Sequence, residues 1–164
     1  MARLDSYSQH FLRSPRLVAE LIGHTSIRKN DLVYDLGAGS GIITSVLARR
    51  VRNVVAVEIE PQAVQKLRQN IAATPNVSIV VDDMLTMPLP HEPYKVFANI
   101  PFHISAAVVR RLCFDANHPR ALYLIVQKQF ANKLLADDRH FTSQLGAELA
   151  PWYTVRIRRP PHRT

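Results

Sequence analysis

Cysteine, long apolar runs and acidic residues are what this sequence has little of, and each shortage excludes something. One thiol, Cys113, leaves no internal disulfide possible and cannot build a zinc site by itself. No apolar run approaches the length of a membrane span. Met1-Ala2-Arg3-Leu4-Asp5 also lacks the apolar stretch of a secretory signal. The expectation is a cytoplasmic protein with no membrane partner and no metal. Acids are outnumbered, 13 against 21 Lys and Arg, which gives a net charge of +8. That excess favours a polyanionic partner, because neutralising phosphates releases condensed counterions. The plain alternative is an ordinary basic surface kept soluble by its charge. Toward the carboxyl end the shortage is complete. From Trp152 to Thr164 stand Arg156, Arg158, Arg159 and Arg163 with no acid, beside the aromatic pair Trp152-Tyr153.

What is present is an alternation. Short Val/Ile/Leu runs at 32–36, 54–58, 77–81, 95–99 and 122–126 read as strands. Between them lie helical patterns at 42–50, from Pro61, at 106–114, 128–136 and 142–149. Ser14-Pro15 reads as a cap and first-turn proline before a helix whose apolar face is Leu17, Val18, Leu21 and Ile22. Strands that are continuously apolar rather than alternating argue for a mostly parallel sheet with helices on both faces. The expected class is α/β, Rossmann-like, with residues 1–164 forming one domain; the sequence shows no repeat and no flexible linker. A proline-rich loop, 84–93, is expected at the carboxyl edge of the sheet, where such folds bind ligands.

The first strand opens into Asp35-Leu36-Gly37-Ala38-Gly39-Ser40-Gly41. Glycines there let the chain turn sharply and let a ligand approach without a Cβ in the way. The spacing is not the Gly-x-Gly-x-x-Gly of a pyrophosphate site, and a glycine turn alone implies only a nucleotide-like ligand. Glu58 ends the second strand, 21 positions after Gly37, where an acid can accept both hydroxyls of a ribose. Read plainly it would cap the helix from Pro61, a role Glu60 can fill instead. Asp82-Asp83 follows the third strand; one of the two can accept an adenine amino group, although adjacent acids are common in turns.

Asn99-Ile100-Pro101-Phe102 ends the fourth strand, 62 positions after Gly37. An Asn-x-Pro-aromatic tetrad suits a planar amino group held against a methyl donor. The Asn99 amide oxygen and the Ile100 carbonyl can accept its two N–H bonds, Pro101 fixes the backbone, and Phe102 offers a ring for stacking. Isolated, the tetrad would be a strand-ending turn with Phe102 buried. After a glycine turn and two acids at successive strand ends, it reads as the target site of an N-methyltransferase that acts on a base and uses S-adenosyl-L-methionine.

The ordered strings Gln9-His10-Phe11-Leu12, the glycine turn, Val57-Glu58-Ile59, Asp83-Met84-Leu85 and Asn99-Ile100-Pro101-Phe102-His103-Ile104-Ser105 resemble the motifs of the rRNA adenine N6-methyltransferases. That family includes the Erm macrolide-resistance enzymes and the 16S rRNA dimethyladenosine transferases. The resemblance runs from about Ser8 to Phe130 and implies the class I methyltransferase fold. It also implies that His10 and Leu12 close over the cofactor, that Gly37, with Gly39, abuts its methionine part, and that Glu58, with Ile59, holds the ribose. Asp83 would take the adenine, and Asn99 would lie between cofactor and target. His10 stands where many members carry Asn. Gly-Ala-Gly-Ser-Gly and the residues Ile100 and Phe102 are more similar to Erm than to the 16S enzymes, which usually carry Gly-Pro-Gly, Leu and Tyr. The Erm branch implies methylation of an adenine in the peptidyl-transferase loop of 23S rRNA and resistance to macrolides, lincosamides and streptogramin B. The family usually continues into a further proline-aromatic segment and a small helical domain, so residues 1–164 are expected to be the catalytic domain alone, and a monomer.

Other residues have plainer readings. His103 is a packing or hydrogen-bonding residue, Cys113 a small core residue on its helix, and Arg49-Arg50 and Arg110-Arg111 solvated helix faces. RNA contact is expected from Arg3 and Arg13 in the N-terminal arm and from Arg156, Arg158 and Arg159 in the tail. Two other readings stand beside this one. One is a methyltransferase using the same tetrad on DNA adenine or a protein amide. The other is a non-catalytic module that binds cofactor and RNA.

Overall fold

The computed structural model describes residues 13–135 and 143–158. His10, Leu12, Arg3, Arg159 and Arg163 lie outside the described residues, so their expected roles are not addressed by it. Five strands form one sheet: β1 Leu32–Leu36, β2 Asn53–Glu58, β3 Val77–Val81, β4 Lys95–Asn99 and β5 Ala121–Ile125. Their order is β3-β2-β1-β4-β5, and every pairing is parallel. The order reverses between β1 and β4, which puts a crevice at the carboxyl ends of these strands.

Six α-helices complete the described residues: α1 Pro15–Gly23, α2 Ile42–Ala48, α3 Pro61–Asn70, α4 Ser105–Phe114, α5 Lys128–Lys133 and α6 Gln144–Leu149. Their starts follow local chemistry. The Ser14 hydroxyl accepts the Leu17 amide ahead of Pro15. Glu60 accepts from Gln62 and Ala63 ahead of Pro61, so it is Glu60 and not Glu58 that caps α3. Ser143 caps α6 through Gly146.

The helices cover both faces of the sheet. Val18 and Ile22 of α1 and Ile43, Val46 and Leu47 of α2 pack on Val33, Val54 and Phe97. Leu67 and Ile71, at the end of α3, close over Ala56 beside them. On the opposite face, Val108 and Leu112 of α4 pack on Leu36, Val57, Val96 and Ala98. Val109 and Cys113 turn away toward Leu145 and Leu149 of α6, so Cys113 is a core residue, its thiol pushed up to about 11 by burial. Strand side chains that alternate between two buried faces explain why these runs read as continuously apolar. Among the described residues no helix is long and apolar enough to cross a membrane.

Candidate active site

The glycine turn is held open by the strand beside it. The amides of Gly37 and Ala38 both donate to the Val57 carbonyl, at 2.8 and 3.0 Å. Gly37 (φ +70°) occupies the left-handed region, and a Cβ there would stand 3.1 Å from the Met84 methyl. Gly41 (φ +95°) opens α2, where a Cβ would meet Leu67 at 2.7 Å.

Glu58 lies against this turn. One carboxylate oxygen accepts the Gly39 amide at 2.8 Å, and the other accepts the amides of Ile59 and Glu60 at 2.9 and 3.0 Å. The acid is fixed by three backbone donors, which spacing alone did not foretell. Most of its acceptor capacity is engaged in holding the two turns, and the residue also lines the cavity of the site.

After β3, Asp82 accepts the Asp83 amide at 2.7 Å and Asp83 accepts the Leu85 amide at 2.9 Å, each through one carboxylate oxygen. The Asp83 carbonyl takes the amides of Thr86 and Met87. A tight turn therefore carries Asp83 and Met84 to the crevice while Met87 is buried in the main core.

The tetrad follows β4. The Ile100 amide donates to the Ile125 carbonyl at 3.3 Å. The Pro101 carbonyl accepts the Ile104 amide at 3.2 Å and the buried Ser105 hydroxyl at 3.1 Å. Pro101 (φ −55°, ψ 138°) leads into a 3-10 turn, Phe102–Ile104. Among the described residues no donor reaches the Ile100 carbonyl or the Asn99 amide. Phe102 is not buried, as an isolated turn would have it, but 62% exposed. His103 is exposed beside it.

A cavity of about 220 Å³ lies between these segments, walled by Gly37, Val57, Glu58, Ile59, Asp82, Asp83, Met84, Pro101 and Ile104. Four of the expected cofactor residues and one of the tetrad thus share one wall. Gly39, Asn99, Ile100 and Phe102 are not part of it, although the Asn99 main-chain oxygen lies 3.8 Å from where a Gly37 Cβ would stand. A larger depression of about 430 Å³, by the end of α3 and β3, is wide open and holds Arg68 as its one charged residue. It includes Val77 at the amino end of β3 and none of the residues at the carboxyl ends of the strands, and it offers no comparable chemistry. Among the described residues no group of three His, Cys, Asp or Glu stands close enough to hold a metal.

Three neighbours were not anticipated. Met84, between Asp83 and Leu85, and Ile104, two residues after Phe102, also line the wall. Asp35 is the third. The residue is 1% exposed, with one carboxyl oxygen taking the Thr44 hydroxyl at 2.6 Å and the other without a partner among the described residues. Burial pushes it up to about 7 against the pull of the Thr44 bond, with the Glu58 charge adding to the rise. An acid inside the apolar run Leu-Val-Tyr-Asp-Leu was the available signal. The arginine pairs also divide. Arg110 does form an exposed pair with Glu148, but Arg111 is not a solvated face: it is half-buried and bonds to the turn at Met84–Met87. Arg13, Arg156 and Arg158 are exposed. The last two lie in a segment without regular secondary structure in which Tyr153, Val155 and Ile157 are half-buried and alternate with exposed residues.

Residues 3–157 match the family described as ribosomal RNA adenine dimethylase. An rRNA adenine N-6-methyltransferase of Lysinibacillus sphaericus is 34% identical over 143 residues, 87% of this chain and 58% of that protein. A mitochondrial ribosomal RNA small subunit methyltransferase of Arabidopsis thaliana is 34% identical over 135 residues, 80% of this chain and 35% of that one. Among solved structures, the 23S rRNA methyltransferase ErmE superimposes with a TM-score of 0.74 at 29% identity, covering 86% of this chain and 57% of ErmE. The chain spans 58% of the Lysinibacillus protein and 57% of ErmE but only 35% of the Arabidopsis one, so it covers under two thirds of each.

Proposed function

This chain belongs to the ribosomal RNA adenine dimethylase family, whose members use S-adenosylmethionine, and from that membership we propose that it transfers methyl to N6 of an adenine in 23S rRNA, once or twice. In the cell this would confer macrolide, lincosamide and streptogramin B resistance. The observation that carries the reading is the tetrad: an exposed Phe102 ring beside an Ile100 carbonyl and an Asn99 side-chain amide that no donor occupies among the described residues, next to a cavity lined by Glu58 and Asp83.

What supports the cofactor set is the fit of the wall. Gly37 leaves a hollow that a Cβ would fill, and Glu58 and Asp83 present acceptors at successive strand ends, suited to a ribose and an adenine amino group. When bound, the cofactor supplies an electrophilic methyl on a sulfonium.

The protein supplies alignment. Asn99 and the Ile100 carbonyl accept the two N–H bonds of the target amine, which draws its nitrogen toward tetrahedral geometry and turns the lone pair toward the methyl. Ser105 and Ile104 hold the Pro101 carbonyl, fixing the turn that aims these acceptors. Orientation of this kind can lower a barrier by about 7–11 kcal/mol. Phe102 stacks on the extruded base, worth about 1–3 kcal/mol. Extrusion favours an unpaired or flexible RNA site. Arg13, Arg156 and Arg158 are assigned to the phosphates.

A second reading, the small-subunit enzyme acting on 16S rRNA, is favoured by the 34% identity to the Arabidopsis protein. The deciding experiment is transfer of labelled methyl from S-adenosylmethionine to protein-free 23S and 16S rRNA, with the modified adenine mapped. Label at one peptidyl-transferase-loop adenine supports the 23S reading. Label near the 3′ end of 16S replaces it with the second. No label on either, with cofactor binding retained, overturns transfer by this chain.

A further inference from the structure

Helix α4 begins at Ser105, directly after the tetrad and its 3-10 turn, and runs away from the cavity. Two turns along it, Arg111 reaches back across to the opposite wall. Its Nη1 donates to the Met84 carbonyl at 3.2 Å and its Nη2 to the Met87 carbonyl. These two carbonyls belong to the turn that starts at Asp83, whose own carboxylate and carbonyl organise the first half of that turn. The remaining half is closed by Arg111, a residue 24 and 27 positions away in sequence. Met87 is buried and Met84 half-buried, so the carbonyls have little access to water as an alternative partner.

A planar guanidinium suits this task, because two donors in a fixed fork can serve two carbonyls at once, whereas an ammonium is a single point on a flexible stem. One Asp83 oxygen is committed to the Leu85 amide, and the other takes no donor among the described residues. Where that free oxygen points is set by the turn. The turn is set from one end by the main chain leaving β3 and from the other by Arg111.

We propose that Arg111 is a positioning residue: by clamping the Met84 and Met87 carbonyls it aims Asp83 at the exocyclic amino group of the cofactor's adenine, and so sets the preference for a 6-amino over a 6-oxo purine. This rests on the cofactor reading above. An acceptor aimed at an N–H rejects an analogue that presents a carbonyl oxygen there, and its selectivity is lost sooner than general affinity if the aim relaxes.

The test is calorimetric titration of the whole chain with S-adenosylhomocysteine and S-inosylhomocysteine, for the natural protein, Arg111→Met and Arg111→Lys, with circular dichroism and melting of each. The natural protein is expected to prefer the adenosyl ligand at least tenfold. Arg111→Met should bring that ratio to within about twofold, mainly by weakening the adenosyl ligand. Arg111→Lys should fall between, since one ammonium replaces the fork. A general loosening of the fold would weaken both ligands alike and leave the ratio unchanged. Folded variants with the natural ratio overturn the proposal, as does a natural protein that binds both ligands equally well. If Arg111→Met does not fold, Arg111→Lys decides. If the natural protein binds neither ligand, it is the cofactor reading that fails, and the proposal falls with it.

Discussion

The Glu58 carboxylate accepts the Gly39 amide at 2.8 Å, tying the end of β2 to the turn after β1. The same carboxylate takes the Ile59 and Glu60 amides, so one charge organises the loops after both β1 and β2 at the carboxyl edge of the sheet. Hydrogen bonds to a charged acceptor contribute about 1.5–3 kcal/mol each. Glu58→Gln places an NH2 group against one of these donors. The expected outcome is an S-adenosylhomocysteine affinity about 10- to 100-fold lower by calorimetry, with a smaller loss of thermal stability. Unchanged affinity would remove Glu58 from the cofactor set.

Asp35 makes stability depend on pH in an unusual direction. Its folded-state value of about 7 lies above the 3.8 of a free carboxyl. Between about pH 4 and pH 7 the folded chain therefore holds a proton that the unfolded chain has released, and the stability associated with this group falls as pH rises through that window. Below it both states are protonated; above it both are ionised and the cost is constant. The full effect is about 4 kcal/mol. Asp35→Asn keeps an acceptor for the Thr44 hydroxyl and removes the titration. Urea unfolding at pH 5 and pH 8 should show the natural protein losing stability relative to the variant at the higher pH. Parallel curves would refute the assignment.

The glycines of the turn separate folding from binding. At Gly41 a side chain is strained by φ +95° and a Cβ would press on Leu67 in the packed end of α3. Gly41→Ala is expected to cost about 1–3 kcal/mol by urea unfolding. At Gly37 the strain is similar, but the nearest atom is the Met84 methyl in the cavity wall. Gly37→Ala should cost less stability and weaken S-adenosylhomocysteine more than tenfold. Equal binding losses in the two variants at matched stability would argue against a cofactor hollow at Gly37.

The sheet was legible because its signals are local. The runs 32–36 and 77–81 are bounded by Asp31 and Gly37 and by Asn76 and Asp82, the run 95–99 by its own polar ends Lys95 and Asn99, and the strands have those limits. The helix expected to continue to Arg50 ends at Ala48, and the one expected to reach 136 ends at Lys133; neither end carries a glycine or proline to mark it. The site was legible as residue types at strand ends, and Gly37, Glu58, Ile59 and Asp83 do meet at one cavity. What sequence could not supply is occupancy. That Glu58 is engaged by three amides and that Arg111 closes a turn 24 positions upstream are consequences of packing, and no spacing rule encodes them. Asp35 was the missed residue with a readable sign, a carboxyl where every neighbour is apolar.

Phe102 separates target binding from everything else. Its ring is 62% exposed and belongs to no core cluster, so Phe102→Ala should leave the melting temperature and S-adenosylhomocysteine affinity almost unchanged. If the ring stacks on the target adenine, the same variant loses about 1–3 kcal/mol of base binding together with its alignment, and methyl transfer to rRNA should fall by at least 100-fold. Phe102→Trp, which keeps a stacking face, should retain transfer. Asn99→Ala gives the complementary case: the base still stacks, but one acceptor for its amine is gone, so transfer is lost while RNA affinity is kept. A single-turnover assay beside an RNA-binding assay distinguishes the two. Natural turnover by Phe102→Ala would end the stacking role, and natural turnover by Asn99→Ala would mean that the amine is aligned by other groups.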